Sequence, residues 1–426
     1  MIFEVETQRS GWFTLTATKF LATELPRLFA VLSDPAGWSV AAPERLVRSE
    51  VNSVLGYAFA NGSRVEVWMD SVKPGVQRLR IEHENLHTDA DAAWARSYWT
   101  ELVSHLTSRL LAEPVAAAQA YGKLNLFFRV GSLLPNGYHE VASVYQSVSM
   151  AETVFAEPVF GPTADWQVTT GGSVSVAHLA SVPTDKKNLV VKAFQAVVKA
   201  AKAKKVGKYH FYVDKHVPVS GGMGGGSADA AATLVLANQL LGSPLDKTAL
   251  LEVAAELGAD VPFALQGGTA IGTGTGHELS VFRNVSELHW VLVTDELGLS
   301  TPSVYKELDR LRTERGEDPS AARRTNVPGA LVTALRQGAS AEEIAPLLHN
   351  DLAEAAVSLR PDLKRLLDLR ETVGALAAII SGSGPTVAYL ASDGNDAIAV
   401  QSRLNTIGYR DAIIVSSPGK PARVLP

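Results

Sequence analysis

The run of residues 218–232, PVSGGMGGGSADAAA, constrains the fold of this chain more than any other segment. Five of its first nine residues are glycine, and Ser227 then opens a stretch of strong helix formers. A glycine-rich loop that leads into a helix lets the backbone approach a ligand closely. The free N–H groups and the positive end of the helix dipole favour an anion there. The run therefore predicts a phosphate site, while the glycines alone leave open a flexible loop or a close helix contact.

Two familiar phosphate-binding loops do not fit this spelling. A P-loop requires Lys directly after the second glycine of GxxxxG, but Ser227 follows the pair Gly221 and Gly226. A dinucleotide fingerprint requires GxGxxG, and after Gly222 and Gly224 it is Ser227 that stands at the third glycine position. The run is therefore predicted to be a phosphate-binding loop of another type, or a structural element.

Length and charge set the class of protein. A chain of 426 residues is long enough for two or three domains. Its net charge of -5 gives no reason to expect nucleic acid or an anionic membrane as a partner. The absence of cysteine fits a reducing compartment, and the opening MIFEVETQRS lacks the basic and apolar regions of a signal peptide. We therefore expect a cytoplasmic protein without a membrane span.

Residues 1–112 are predicted to form one unit. Short alternating segments predict strands, Asn61-Gly62 predicts a hairpin turn, and residues 89–111 place apolar side chains at helical spacing. A short helix over residues 23–32 is predicted to end at the turn formers of residues 33–37. Strands followed by one long helix predict an α+β domain in which that helix packs on a sheet. The predicted strands are 12–18, 46–51, 54–60, 64–68 and 77–83.

Residues 112–120 are small, nearly uncharged and include a proline, which predicts a junction. A longer unit of mixed strands and helices follows the junction to the C-terminus. Residues 313–326 are its most loop-like part, so a C-terminal subdomain is expected to begin near them. The helices predicted in this unit are 188–203, 228–241, 247–257 and 396–407.

Polar side chains interrupt apolar segments of the second unit. Lys123 and Asn125 lie on one face of the strand-like residues 120–126. Asp260 has apolar neighbours, so we expect it to be partly buried and to need a partner such as Lys123. An Asp–Lys pair near a phosphate loop suggests phosphoryl transfer, in which Asp orients a hydroxyl proton and Lys stabilises phosphoryl oxygens. The alternative for Lys123 and Asn125 is an edge strand with one face exposed to solvent. The alternatives for Asp260 are a helix cap and a structural ion pair.

Three turns complete the pattern. Pro135-Asn136-Gly137 is predicted to be a turn that presents Tyr138 and His139, which alone could be surface or packing residues. Residues 266–274 and 381–386 are further glycine turns, and each is a weak indication by itself.

Taken together, these segments resemble the GHMP small-molecule kinases, and within them the branch that acts on a cytidine-diphosphate derivative of methylerythritol. The resemblance covers residues 117–426. It implies an α+β fold whose N-terminal half, 117–285, is like domain 2 of ribosomal protein S5 and whose C-terminal half, 286–426, is ferredoxin-like. Six segments carry it in the family's order: AYGKLNLFFRV, LPNGYHEVASVYQSV, PVSGGMGGGSADAAATL, ELGADVPFALQGGTAIGTGTG, HNDLAEAAVSLRPDL and SGSGPTVAYL.

The resemblance implies ATP-dependent phosphorylation of the 2-hydroxyl of the cytidine-diphosphate methylerythritol, a small-molecule substrate of the non-mevalonate isoprenoid pathway. Asp260 is expected to be the catalytic base and Lys123 its partner, with ATP and Mg²⁺ as cofactors. No carboxylate cluster identifies metal ligands, so none is assigned. The expected cofactor-binding residues are Asn188, Pro218, Gly221, Gly222, Gly224, Gly225, Gly226 and Ser227. The expected substrate-binding residues are Asn125, Tyr138, His139, Thr301 and Tyr305.

The chain departs from the family's pattern at two of these places. Tyr121-Gly122 stands where the family usually has Pro-Ala before the lysine, which could alter the backbone at Lys123. Tyr305 stands where Phe is frequent, and stacking on the cytosine, opposite Tyr138, should tolerate that change.

Residues 1–112 lie outside this family and resemble START-like (SRPBCC) helix-grip domains. The resemblance rests on FAVLSDPAGWS, Trp68 and the final helix AAWARSYWTELVSHLTSRL. It implies a long helix over a curved sheet and an apolar ligand, although the unit is short for the type and a docking module is the alternative. For the whole chain, two other functions stay open: another GHMP kinase with a different alcohol, and a ligand-binding START-like protein with a degenerate kinase half.

Overall fold

The computed structural model divides into two compact units, Met1–Val115 and Ala116–Pro426. Parts of the predicted turn (36–37), junction (113–115) and loop (322 and 324) lie outside the described residues. In the described part of the chain, no helix has the length and apolar character needed to cross a membrane. The described residues are 2–7, 12–21, 23, 25–35, 38, 40–73, 76–112, 116–159, 167–204, 206, 208–295, 297–321, 323 and 325–425.

The first unit is an antiparallel sheet with two helices. Its elements are β1 (Ile2–Thr7), β2 (Phe13–Leu21), α1 (Leu25–Ser33), β3 (Arg45–Glu50), β4 (Val54–Ala58), β5 (Arg64–Lys73), β6 (Val76–Leu86) and α2 (Asp89–Ala112). The sheet order is β1-β2-β6-β5-β4-β3. The predicted strands and both predicted helices are confirmed, with ends that differ by a few residues. Strand β1 was not predicted, because residues 1–10 were interpreted only for the presence of a signal peptide and not for secondary structure.

Helix α2 packs on this sheet through one apolar face. A reciprocal cap starts the helix: the Asp91 N–H donates to Thr88 Oγ1 at 3.1 Å, and the Thr88 N–H donates to Asp91 Oδ2 at 2.9 Å. The buried side chains of α2 recur at helical spacing and share one core with the inward face of the sheet. That core is rich in aromatic rings, among them Trp38, Tyr57 and Trp99. The helix-on-sheet prediction is therefore confirmed for this unit.

The second unit mixes many strands and helices. Its strands are β7 (Ala116–Leu133), β8 (His139–Val159), β9 (Gln167–Gly172), β10 (Lys208–Lys215), β11 (Thr269–Thr273), β12 (Glu278–Val281), β13 (Leu288–Val293), β14 (His349–Asn350), β15 (Ala377–Ile380), β16 (Val387–Ala391), β17 (Ile413–Ser417) and β18 (Arg423–Val424). Its helices are α3 (Val176–Ser181), α4 (Leu189–Ala200), α5 (Gly225–Leu240), α6 (Lys247–Leu257), α7 (Val261–Gln266), α8 (Thr301–Glu314), α9 (Gly329–Gln337), α10 (Ala341–Ile344), α11 (Ala353–Leu359), α12 (Asp362–Asp368), α13 (Arg370–Val373) and α14 (Gly394–Thr406).

Two sheets organise these elements. The larger sheet runs β12-β11-β8-β10-β9, and β8 also pairs with β7, which carries β14 and β18 at its other edge. The smaller sheet has the order β15-β16-β13-β17 and is antiparallel throughout. Helix α5 is rich in alanine and most of its residues are buried, so it can lie close to α4 and to the larger sheet within one apolar core. This packing fixes the direction in which the N-terminus of α5 points.

Two predictions about this unit are wrong in detail. Helix α5 begins at Gly225 and not at residue 228, because the last glycines of the run already form its first turn. The start of the predicted loop 313–326 belongs to α8, which continues to Glu314. Strand β13 and α8 both precede that loop and pack with later elements of the chain.

Candidate active site

A cleft of about 900 Å³ opens at the first turn of α5. Segments far apart in the chain contribute to it: β7, the loop between β10 and α5, the turn between α6 and α7, and α8. The cleft therefore collects most of the residues singled out in the sequence. Those that line it are Lys123, Tyr138, His139, Pro218, Gly221, Gly222, Gly224, Gly225, Gly226, Ser227, Asp260, Thr301 and Tyr305.

The glycine loop, residues 218–224, enters α5 through left-handed backbone. The φ angles of Gly222 and Gly224 are 76° and 73°, a region that side chains disfavour. Gly224 is the N-cap of α5 and offers no side chain to the N–H groups of the first turn. Those N–H groups and the helix dipole are therefore available to an anion in the cleft.

A second loop, residues 381–386, braces the glycine loop. Ser381 Oγ donates to the Gly222 carbonyl at 3.0 Å. A Cβ atom on Gly222 would lie 2.0 Å from the Ser381 carbonyl oxygen, so the two backbones meet where a side chain cannot fit. The same loop lies close to the lysine of β7, because a Cβ atom on Gly382 would be 3.2 Å from Lys123 Nζ. The glycine loop and the loop of residues 381–386 thus contribute to one site.

Lys123 is buried and has two polar neighbours. Its Nζ donates to Asn125 Oδ1 at 2.7 Å and lies 3.8 Å from Asp260 Oδ2. Burial lowers the pKa of Lys123, and the nearby Asp260 carboxylate opposes that shift. Asn125 in turn donates to Ser143 Oγ at 2.8 Å and is fully buried. The structure places Asn125 as the support of Lys123, outside the residues that line the cleft.

Asp260 combines a helix-cap position with a carboxylate that faces Lys123. It is the N-cap residue of α7, yet its side chain makes no capping hydrogen bond. The side chain is 32 % exposed and lies at the cleft. The carboxylate can therefore accept a proton from a hydroxyl group bound between it and the glycine loop.

Aromatic and imidazole rings form another part of the cleft. The His139 ring stacks on Tyr305 with centroids 5.0 Å apart and 28° between the planes. His139 Nε2 lies 2.9 Å from Asp309 Oδ1, one helical turn after Tyr305 on α8. Tyr138 is 66 % exposed, and Thr301 shares a hydrogen bond of 2.9 Å with Ser383. Tyr305 therefore contacts His139 in this structure, while Tyr138 stands free in the same cleft.

The sequence analysis missed two residues that line the cleft, Tyr145 and Asp309. Tyr145, on β8, packs against Phe263 with ring centroids 5.2 Å apart, and Lys123 Nζ lies 5.8 Å from its ring centre. Asp309 could have been found by its spacing of four from Tyr305, which puts both on one face of a helix. Tyr145 could not, because an aromatic residue inside a strand is ordinarily a packing residue.

Asn188 lies elsewhere than expected. Its Oδ1 accepts from the Val190 N–H at 2.9 Å and caps α4, and its Nδ2 donates to the Pro183 carbonyl at 2.6 Å. The side chain is buried, and its polar atoms are used within the fold. The next residue, Leu189, lines the cleft instead.

A metal centre built from protein side chains alone needs several ligands close together. Among the residues it describes, no three His, Asp or Glu side chains come together as metal ligands would. A Mg²⁺ ion bound through one or two side chains and the phosphates of a ligand needs no such cluster.

Comparisons with known proteins agree on one family. Residues 188–268 match the GHMP kinases N terminal domain, and residues 331–410 match the GHMP kinases C terminal domain. The chain is 48 % identical over 309 residues to the 4-diphosphocytidyl-2-C-methyl-D-erythritol kinase of Leifsonia xyli, which covers 72 % of this chain and 97 % of that relative. It is 44 % identical over 321 residues to the enzyme of the same name from Clavibacter michiganensis, covering 75 % and 99 %.

Solved structures point the same way. A crystal structure of 4-(cytidine 5'-diphospho)-2C-methyl-D-erythritol kinase superposes with a TM-score of 0.56 at 27 % identity, covering 71 % of this chain and 99 % of that one. Homoserine kinase from Cytophaga hutchinsonii (TM-score 0.54, 17 % identity, 74 % and 98 % covered) and L. major mevalonate kinase (0.55, 17 %, 71 % and 95 %) share the fold.

Proposed function

Because the chain belongs to the GHMP kinases, and within them to the 4-diphosphocytidyl-2-C-methyl-D-erythritol kinases, we propose that it transfers the γ-phosphoryl group of ATP to the 2-hydroxyl of that substrate. The product then continues along the non-mevalonate (MEP) route to isoprenoid precursors. The observation that carries the proposal is the approach of Lys123 and Asp260 beside the glycine loop, in a chain 48 % identical to such an enzyme.

The glycine loop binds the triphosphate. The N–H groups of the first turn of α5, from Gly225 to Ser227, donate to phosphate oxygens, and the helix dipole adds to the attraction. The left-handed Gly224 brings the backbone close without a side chain in the way. Phosphoryl transfer needs little from the protein beyond positioning and charge stabilisation, and this loop provides the first of these.

Lys123 and Asp260 act on the acceptor hydroxyl. Asp260 takes the proton of the substrate hydroxyl while the oxygen of that hydroxyl forms a bond to the γ-phosphorus. The bond from that phosphorus to the bridging oxygen breaks, and ADP leaves with the electron pair. The Lys123 ammonium stabilises the charge on the phosphoryl oxygens, and Asn125 holds the ammonium in place.

The cytidine end of the substrate occupies the ring-lined part of the cleft. Tyr305 offers a flat face that the base can stack on, and Tyr138 is exposed and free to cover its other face. His139 is oriented by Asp309, because Nε2–H donates to that carboxylate. The stacked ring and the oriented imidazole together favour a nucleotide over a bare alcohol such as mevalonate.

Mg²⁺ is proposed to arrive on the nucleotide. Since the described residues form no carboxylate cluster, the ion would be held by the phosphates of ATP and would neutralise part of their charge. The roles assigned above to Lys123, Asp260 and the glycine loop do not depend on a protein ligand to the metal.

For the first unit we propose a helix-grip domain of the START-like type. Support comes from the antiparallel order in which β2 pairs with the last strand, β6, and from the long helix α2 packed on the sheet. The core is filled by Trp38, Tyr57 and Trp99, which favours docking over the enclosed apolar ligand. The proposed domain limits are 1–112, 117–285 and 286–426, and the proposed location is the cytoplasm.

The first experiment is a transfer assay with the purified full-length chain. ATP is offered with 4-diphosphocytidyl-2-C-methyl-D-erythritol, mevalonate or homoserine, and products are identified by mass spectrometry. Phosphate on the cytidine substrate alone supports the proposal. Transfer to mevalonate or homoserine would indicate another GHMP kinase, and no transfer to any of the three would indicate a degenerate kinase half.

A further inference from the structure

Three charged side chains are buried together behind the glycine loop. Lys215, the last residue of β10, donates through Nζ to Glu152 Oε1 at 2.9 Å and to Asp229 Oδ2 at 2.7 Å. Glu152 lies in the middle of β8, and Asp229 lies in the second turn of α5. We call these residues the charged cluster. None of the three lines the cleft, and the mechanism above uses none of them.

The cluster contacts both ends of the glycine loop. Before the loop, Glu152 Oε2 accepts from the His216 N–H at 2.9 Å. After the loop, a Cβ atom on Gly225 would lie 3.1 Å from Glu152 Oε1, so the carboxylate packs against the first residue of α5. Asp229 ties the same helix to Lys215. The cluster therefore joins the strand before the loop, the helix after it and the central strand β8.

We propose that Glu152, Lys215 and Asp229 are positioning residues for the triphosphate, which fix the glycine loop from behind and whose summed charge sets how strongly the first turn of α5 binds phosphate. The inference rests on the proposed function in one respect, because that function assigns the triphosphate to this turn.

The charges of the cluster do not balance. Two carboxylates face one ammonium, and Asp229 Oδ1 has no hydrogen-bond partner in the described part of the structure. Burial raises the pKa of both carboxyl groups, and that of Glu152 to about 8. Two buried carboxyl groups that face one ammonium favour a shared proton, which makes the cluster neutral overall. Loss of that proton at higher pH leaves an excess negative charge behind the turn, and that charge repels phosphate.

Two other groups near the loop could produce a similar pH dependence. The His216 imidazole pairs with Asp214 at 3.1 Å, and that pair raises the pKa of His216. Lys123 has a lowered pKa because it is buried, and loss of its charge would also weaken phosphate binding. The Glu152 carboxylate also acts on His216, so a His216 variant is needed beside the cluster variants to separate these sources.

The test measures binding and not turnover. Titration calorimetry with the full-length chain follows the affinity for the β,γ-imido analogue of ATP, and for adenosine, between pH 7.5 and pH 9.5. We expect the affinity for the analogue to fall at least fivefold and that for adenosine to change less than twofold. In Glu152→Gln, which cannot lose this proton, the affinity for the analogue should change less than twofold over the same range.

Two further variants serve as controls for the pH dependence of binding. Asp229→Asn also leaves a neutral Lys–Glu pair, so it should flatten the profile too and serves if Glu152→Gln does not fold. His216→Gln should keep the fall. The inference is overturned if the cluster variants retain the fall, if wild-type affinity does not depend on pH, or if adenosine follows the analogue. Cluster-dependent binding in a chain that transfers no phosphate would contradict the proposed function and leave the inference standing.

Discussion

Lys123 Nζ lies 3.8 Å from Asp260 Oδ2, which is too far for a normal hydrogen bond. The ammonium instead donates to the neutral amide of Asn125 at 2.7 Å. The carboxylate of Asp260 thus has a positive neighbour that steadies its charge, while its lone pairs stay available to a substrate hydroxyl. This spacing suits a general base, because a carboxylate held in a tight ion pair would accept a proton less readily.

Asp260→Asn is expected to reduce kcat by about 10²- to 10⁴-fold, the range that general-base catalysis contributes. The melting temperature should stay within a few degrees, because the Asp260 side chain is partly exposed and makes no capping bond. Steady-state kinetics and thermal melting check both. Glu256→Gln, an exposed carboxylate change on the preceding helix, is the matched control and should alter neither. Full activity of Asp260→Asn would remove the residue from the mechanism.

Gly222→Ala is expected to raise the KM for ATP at least tenfold. Both Gly222 and Gly242 have a left-handed φ, of 76° and 80°, so alanine strains the backbone at either position, by about 1–2 kcal/mol. A Cβ at Gly222 would also collide with the Ser381 carbonyl, while the space at Gly242 is open. Gly242→Ala should therefore lower stability and leave KM unchanged. Equal kinetics in the two variants would show that the collision does not matter.

Tyr305→Ala is expected to raise the KM for the cytidine substrate without a matching rise for ATP. Stacking of a base on an aromatic ring is worth about 1–3 kcal/mol, which corresponds to a rise of roughly 5- to 150-fold. Tyr305→Phe keeps the ring and should stay within about twofold of the parent. Kinetics with each substrate varied in turn measure the effect. A similar loss in both variants would assign the role to the hydroxyl and not to stacking.

The first unit should lose stability in mild acid because of His83. Burial lowers the pKa of His83 from 6.5 to about 4. The unfolded chain therefore takes up a proton below pH 6.5 that the folded unit does not, and about 3 kcal/mol is lost as the pH falls from 6.5 to 4. Protonation would also break the bond in which His83 Nδ1 accepts from Trp99 Nε1, at 3.0 Å.

Tryptophan fluorescence during urea unfolding at several pH values measures this loss, since five of the seven tryptophans lie in the first unit. His105→Gln, a change at an exposed histidine of α2, should keep the dependence. His83→Gln should remove it. An unfolding free energy that does not vary between pH 6.5 and pH 4.5 in the parent chain would contradict the assignment.

Local patterns predicted the elements better than their ends. The long helix α2 and the hairpin at Asn61-Gly62 follow from spacing and turn chemistry, which act within a few residues. The start of α5 did not follow, because glycine has poor helix propensity and Gly225 is held in the helix by tertiary packing. The N-cap role of Asn188 could have been read from the apolar helix that follows it, but the family resemblance suggested a ligand contact instead.

Partners across the chain were harder to foresee. The pairing of Lys123 with Asp260 was predicted because both are polar residues in apolar segments, which need a common explanation. The period of a strand predicted that Lys123 and Asn125 share a face, but Asn125 was expected to bind the substrate and not to support Lys123. The charged cluster was not predicted, because no local sequence pattern singles out Glu152, Lys215 or Asp229. Their side chains meet through the pairing of β8 with β10 and the packing of α5.

The contact between Gly222 and Ser381 has a consequence for how such a chain can change. One residue belongs to the part before residue 286 and the other to the part after it, and each backbone shapes the space available to the other. A chimera of two related enzymes joined near residue 286 would place the glycine loop of one enzyme against the 381–386 loop of the other. The two halves must therefore be inherited, or exchanged, as a pair.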